Sequence, residues 1–137
     1  NFADALLGVL AQRLAKRLCN ECKTPYVPSK EEIERIKAEY GEHPIKPLKD
    51  EDIEKATFYK PVGCPSCNYT GFKGRIAIHE LLIPDDEIRD LIIKGASALE
   101  LRNKAVQKGF RTLKQDGILK VLRGETTLQQ IQAVTVR

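Results

Sequence analysis

Residues 17–26 read RLCNECKTPY and residues 62–75 read VGCPSCNYTGFKGR; together they hold all four cysteines of the chain. Cys19 and Cys22 form one C-x-x-C, and Cys64 and Cys67 form another. Four cysteines in 137 residues are sparse for a secreted disulfide scaffold. A thioredoxin-like redox pair needs one C-x-x-C at the head of a helix, whereas Cys64–Cys67 lies between VG and NYTG, a turn. A two-residue spacer lets both thiolates of a pair reach one ion, and two such knuckles complete a tetrahedron of sulfurs, the arrangement of structural zinc. Pro65 suits the first bend of the second knuckle, and Asn68 and Gly71 tolerate a left-handed backbone. The expected ligands are therefore Cys19, Cys22, Cys64 and Cys67 around one structural zinc, with an iron–sulfur cluster or a redox role as the alternatives. The long insert between the pairs would be closed at its base by the metal.

Neither histidine is expected to be a ligand: His43 sits in the loop GEHPIKP, and His79 in the strand-like RIAIHELLI. No G-x-x-x-x-G-K-[ST] phosphate loop and no strand-borne G-x-G-x-x-G occurs. The carboxylates Glu31, Glu32, Glu51, Asp52, Asp85, Asp86 and Glu87 fall where helices begin, as the helix dipole favours. Catalytic and cofactor-binding residues are therefore both expected to be none.

The chain is 42% hydrophobic and 31% charged, as for a folded water-soluble protein, and its net charge of +4 permits an anionic partner without requiring one. No run approaches the eighteen apolar residues of a membrane helix, and the opening stretch has no signal-peptide pattern. With no Met, and opening inside an amphipathic pattern, it reads as a piece of a longer protein.

Around the knuckles the elements follow from periodicity and caps. Phe2, Leu6, Val9, Leu10, Leu14 and Leu18 recur at three- and four-residue steps, predicting an amphipathic helix over 2–18 with Arg13, Lys16 and Arg17 on its solvated side. Ser29 opens a helix over 30–40, residues 50–56 make a short helical turn, and TFYKPV (57–62) is extended. GRIAIHELLI (74–83) is a buried strand ended by Pro84. Asp85, Ser97, Thr112 and Thr127 then cap four short helices separated by glycines, a compact helical tail.

LLGVLAQRLAKRLCNECK, GCPSCNYTGFKGRIAIHELL and GFRTLKQDGILKVLRGETTLQQI, in that order, resemble the C-terminal part of the type II secretion and type IV pilus assembly ATPases. The motifs that match are A-Q-R-L, the tetracysteine pair, G-R-x-x-x-x-E and R-T-L-x-x-D-G…G-x-T-T-L. The resemblance implies a fragment of a RecA-like ATPase domain: mostly α with a few short strands (α+β), a zinc-clipped insertion and a C-terminal helical bundle. It divides the chain into a RecA-like helix at 1–18, a tetracysteine subdomain at 19–70, a returning strand at 71–84 and a helical subdomain at 85–137. Cut from its sheet, the strand at 74–82 is expected to be an open edge, or to pair with residues 57–62 or a second copy. The family's zinc ligands fall on the four cysteines, and Gln12 and Arg13 fall in the A-Q-R-L motif with no role that the residues themselves reveal. ATP and Mg2+ belong to the parent, a hexameric motor on the cytoplasmic face of the inner membrane, while the fragment lacks the phosphate-binding loop and acidic boxes. Expected partners are neighbouring motor subunits and the inner-membrane platform protein, with no nucleic acid and no membrane insertion. The tetracysteine element, absent from the simple retraction ATPases, points to secretion or pilus extension. The alternative class is a zinc-ribbon-like nucleic-acid module, which the scattered basic residues disfavour; a redox or chaperone-type zinc module is a third.

Overall fold

A computed structural model describes residues 9–135 of the chain. Its frame is a pair of long antiparallel strands, β1 (Val9–Leu18) and β4 (Phe72–Leu81), in the register Gln12↔His79, Leu14↔Ala77, Ala15↔Ile76 and Lys16↔Arg75. The helix expected over 2–18 is corrected here: residues 9–18 are a strand, and residues 2–8 lie outside the described residues. The four-residue spacing of Leu10, Leu14 and Leu18 imitates a helical stripe, and Ala, Leu, Gln, Arg and Lys all favour helix. Strand pairing overrides that propensity. Ala15 is 1% exposed opposite Ile76, whereas Leu14, central to the helical stripe, is 49% exposed. Small alanines on the inner face leave room for the β-branched Ile76 and Ile78 of β4.

The returning strand thus has a partner within the described residues, and that partner is neither 57–62 nor a second copy. Residues 57–62 contribute β3 (Phe58–Lys60), which pairs with β2 (Thr24–Tyr26) in a second two-stranded sheet. The outer edges of the long pair are met by side chains and one turn carbonyl in place of strands. Along β1, the Lys16 N–H donates to Gln130 Oε1 (3.1 Å), its carbonyl accepts from Thr126 Oγ1 (2.8 Å), and the Leu18 N–H donates to the Glu125 carbonyl (2.9 Å). Along β4, the His79 N–H donates to Asp116 Oδ2 (2.9 Å). An unpaired sheet edge invites association, and these contacts occupy it.

Six helices are present among the described residues: α1 (Lys30–Tyr40), α2 (Asp50–Lys55), α3 (Asp86–Ile93), α4 (Ala98–Gln107), α5 (Leu113–Leu122) and α6 (Leu128–Thr135). The expected caps are in place. Ser29 and Asp85 accept from the backbone N–H three residues on, and Ser97/Glu100 and Thr112/Gln115 form reciprocal capping boxes. The main core gathers Ile76 and Ile78 of β4, Ile36 and Tyr40 of α1, Ile53 of α2, Phe58 of β3, and Leu113, Ile118, Leu128 and Ile131 of α5 and α6. The insert between the cysteine pairs is therefore a large part of that core. Gln115 Nε2 on α5 donates to the Tyr40 carbonyl (2.9 Å), and Arg111 Nε donates to Tyr40 Oη (2.9 Å), tying α5 to the end of α1.

The four tail helices divide into two pairs. α5 and α6 pack on the long strands; α3 and α4 bury Ile88, Leu101 and Ala105 with Leu82 in a smaller core of their own. Lys108 Nζ reaches Asp85 (2.8 Å) and Glu87 (2.9 Å), and Lys104 Nζ reaches Glu87 (2.7 Å). The buried Glu80 of β4 accepts from Arg102 Nε at 2.7 Å, joining this small pair to the sheet.

Two measurements test this arrangement. Ile78, 0% exposed, should cost about 2–5 kcal/mol on replacement by Ala, while Leu14→Ala should change stability by less than about 1 kcal/mol. Denaturant midpoints with an unchanged slope would show it; the reverse order would restore the helical stripe. The Lys108 and Lys104 hydrogen bonds hold Asp85 and Glu87 below the usual carboxylate range and Lys108 above the usual lysine range. The carboxylate contribution is complete above the ordinary carboxylate range and vanishes as pH falls through and below it; the lysine contribution vanishes only as pH rises beyond the ordinary lysine range. Thermal melts from pH 7 to below about pH 4 should therefore fall less steeply in Lys108→Met than in the unmodified chain.

Candidate metal centre

β1 ends at Leu18 and runs straight into the first knuckle. The Lys23 N–H donates back to the Cys19 carbonyl (2.9 Å), closing a tight loop, and the Cys19 N–H donates to the Gly71 carbonyl (3.0 Å), pinning that loop to the second knuckle. The second knuckle is one 3-10 turn, Pro65–Cys67, with the Cys67 and Tyr69 N–H groups both donating to the Cys64 carbonyl (3.1 and 2.9 Å). The chain leaves it through left-handed Asn68 (φ 55°) and Gly71 (φ 83°), the two positions whose sequence allowed it; Tyr69 (φ 63°) is left-handed as well, which no sequence signal announced. Gly71 is obligatory for a second reason: a Cβ there would lie 2.5 Å from Pro61 Cβ.

These two turns bring the four sulfurs within 4.8 Å of one another. Cys19–Cys64, Cys22–Cys67 and Cys64–Cys67 are each 3.8 Å apart. A tetrahedron with metal–sulfur bonds of about 2.3 Å, the length of a zinc–thiolate bond, has edges of about 3.8 Å. The cysteines are free, and their separations are far beyond the roughly 2.0 Å of a disulfide. Backbone donors already face the sulfurs: Gly63 N–H to Cys22 Sγ (3.3 Å), Cys64 N–H to Cys67 Sγ (3.3 Å) and Gly71 N–H to Cys67 Sγ (3.2 Å). Such donors stabilise thiolate charge and orient the ligand.

Burial opposes ionisation of Cys67, but the N–H groups of Cys64 and Gly71 and the neighbouring Cys22 and Cys64 outweigh it, bringing its pKa down to about 6. At Cys64 burial prevails and pushes the thiol up to about 11. A divalent cation at the centre removes this disparity, because a coordinated thiol is deprotonated outright. The donor set therefore fits a metal with four soft ligands, of which Cys19 and Cys67 are buried, at 1% and 4% exposure, and Cys22 and Cys64 half-buried.

Among the described residues no other His, Cys, Asp or Glu joins this cluster. His43 is buried elsewhere. Its Nδ1 accepts from the N–H groups of Ile45 (3.1 Å) and Lys46 (2.9 Å), which makes Nε2 the donor to the Phe110 carbonyl (2.8 Å). It pins the proline-rich loop to the segment that follows α4, a role its sequence neighbours do not signal. His79 lies in β4 opposite Gln12. Gln12 and Arg13 are both exposed on β1, with Arg13 Nη1 donating to the Gln12 carbonyl (2.8 Å). Lys23 was also silent in the sequence. Its ammonium lies over the Tyr59 ring (4.4 Å to the centroid) and donates to the Gly124 carbonyl (2.9 Å). No helix among the described residues is long and apolar enough to cross a membrane.

Comparison with known proteins gives one consistent answer. A family model described as "Type II/IV secretion system protein" matches residues 1–133. The type IV pilus assembly ATPase PilB of Thermus thermophilus is 44% identical over 136 residues, covering 99% of this chain and 14% of that protein. The type II secretion system protein E of Dickeya dadantii is 40% identical over 134 residues, 98% of this chain and 24% of that protein. The type II secretion system ATPase E of Vibrio cholerae is 38% identical over 136 residues, again 98% and 24%. The chain thus spans from 14% to 24% of the length of these curated relatives.

The second knuckle supplies its own test. Gly71→Ala meets both a positive φ and the Pro61 ring, whereas Gly74 has a positive φ (78°) with nothing within 4 Å of the position a Cβ would take. Gly74→Ala should cost about 1 kcal/mol of backbone strain; Gly71→Ala should cost clearly more and displace the Pro61–Gly63 backbone that donates to Cys22. Equal unfolding midpoints for the two variants would contradict the packing described.

Proposed function

The chain belongs to the type II/IV secretion system protein family, and from that premise we propose that it is the metal-binding and C-terminal helical part of a motor ATPase serving type II secretion or type IV pilus assembly. One structural zinc sits on Cys19, Cys22, Cys64 and Cys67. The observation that carries the zinc assignment is the set of sulfur–sulfur separations of 3.8 Å, the edge of a tetrahedron around one ion. That spacing suits a single ion and leaves no room for a cluster of several metals between the sulfurs. The zinc, when bound, supplies charge neutralisation and cross-linking; all four positions are taken by protein, so it offers no open site for substrate.

In this reading the β1–β4 pair is the piece of the RecA-like domain that these residues contribute. The cysteines fasten the point where the chain leaves that pair and returns to it. ATP and Mg2+ are handled by other residues of the motor, since this chain carries no phosphate-binding loop. The motor works as a hexamer at the cytoplasmic face of the inner membrane, next to its platform protein. The relatives' names, which include both pilus assembly and type II secretion, support the assignment to one of these two machines.

Elemental analysis should find one zinc per chain. Removal by a strong chelator should loosen the helical circular-dichroism signal, and Cys22→Ser should lower the bound zinc. A chain free of metal, with four thiols that titrate rapidly in the native state, would overturn the assignment in favour of a redox role.

A further inference from the structure

The turn between α5 and α6 is gripped from two sides. From the strand side, the Leu18 N–H donates to the Glu125 carbonyl (2.9 Å) and Thr126 Oγ1 donates to the Lys16 carbonyl (2.8 Å). From the lobe that follows the first knuckle, Lys23 Nζ donates to the Gly124 carbonyl (2.9 Å) while lying over the Tyr59 ring. That ring is seated on the glycine itself: a Cβ at Gly124 would stand 2.6 Å from Tyr59 Cδ2, and the residue has φ 75°. Leu18 and Lys23 are the residues that bracket the first knuckle, each next to a cysteine in the chain.

We infer that this turn, Gly124 to Thr126, links occupancy of the four-cysteine centre to the docking of α6 on the β1–β4 pair. The inference rests on the metal reading above. With a cation in place, the sulfurs hold Leu18 and Lys23 at fixed separation, and the turn fits between them. Without it, nothing draws the four thiols together. The first knuckle then opens, Lys23 and Tyr59 leave Gly124, and the hydrogen bonds that seat Glu125 and Thr126 on β1 lose their register. α6 follows, because it begins almost directly after Thr126 and its Gln130 covers the edge of β1 at Lys16. α3 and α4, which bury a separate core, stand outside this chain of contacts. Linkage is reciprocal: if metal steadies α6, loosening the turn must weaken metal binding by the same factor.

Hydrogen exchange read by mass spectrometry on the whole chain, first loaded with Zn2+ and then stripped, tests the first half. Competition for Zn2+ with a chromophoric chelator, in the unmodified chain and in Gly124→Ala and Thr126→Val, tests the second. Neither substitution touches a cysteine, and Thr126→Val keeps the shape of the side chain in case the glycine variant does not fold. Expected are exchange about tenfold faster in residues 124–135 on zinc removal with α3 and α4 little changed, and zinc affinity lowered by a factor within the roughly 5–150-fold usual for coupled sites. One zinc per chain with unaltered exchange in α6 would overturn the linkage alone. So would uniform loss of protection throughout, or Thr126→Val binding zinc as tightly as the unmodified chain. Failure of the loaded chain to retain zinc would remove the metal reading, and the linkage with it.

Discussion

The chain leaves a strand at Leu18 and must return to its side at Phe72, and almost everything else in the structure serves that closure. Bringing the ends of so long an excursion together costs on the order of 3–4 kcal/mol of chain entropy beyond a constant, and a two-stranded sheet alone is marginal in water. Three things offset the cost. The excursion folds against the strands and gives its own apolar residues to their core. Asp116 of α5, Gln130 of α6 and the turn between these helices occupy positions along the outer edges of both strands. The four sulfurs meet at the point of exit and return, where a bound metal contributes on the order of 10 kcal/mol in small zinc peptides. A clamp placed at the base of a loop acts where the closure entropy is concentrated.

The sequence signs that proved readable are those whose physics is local. A Ser, Asp or Thr three residues before the N–H it accepts caps a helix in any context, and the helices at 30–40 and 86–135 begin at such residues. The knuckles are local too, because a two-residue spacer and a left-handed exit at Asn68 need nothing from the rest of the fold. β1 was unreadable because its decisive partner lies far away along the chain. VLAQRLAKRL has helical composition and leucine spacing, and only the isoleucines of β4, with Ile76 opposite Ala15, convert it to strand. His43 and Lys23 were silent for the same reason, since their partners, Phe110 and Gly124, are remote in sequence.

The terminal motif R-T-L-x-x-D-G…G-x-T-T-L, matched in the sequence as a string, now divides into separate mechanical tasks. Thr112 caps α5, Asp116 covers the edge of β4, and Gly117 admits Ile131, whose side chain would lie 2.6 Å from any Cβ there. Gly124 admits the Tyr59 ring, Thr126 covers the edge of β1, and Thr127 receives the Gln130 N–H at the head of α6. Each residue type is the one its contact requires: small where another element enters, and a short oxygen-bearing side chain where a backbone group would be unpaired.

Because Ile36, Tyr40, Ile53 and Phe58 lie in the same core as Ile78 and Ile118, the cysteine-flanked insert is not a removable cassette. Excising it would strip α5 of the part of its covering that α1 supplies, and grafting it elsewhere would carry an apolar surface with nothing to rest on. A change of size at one of these shared positions would call for an answering change across the seam.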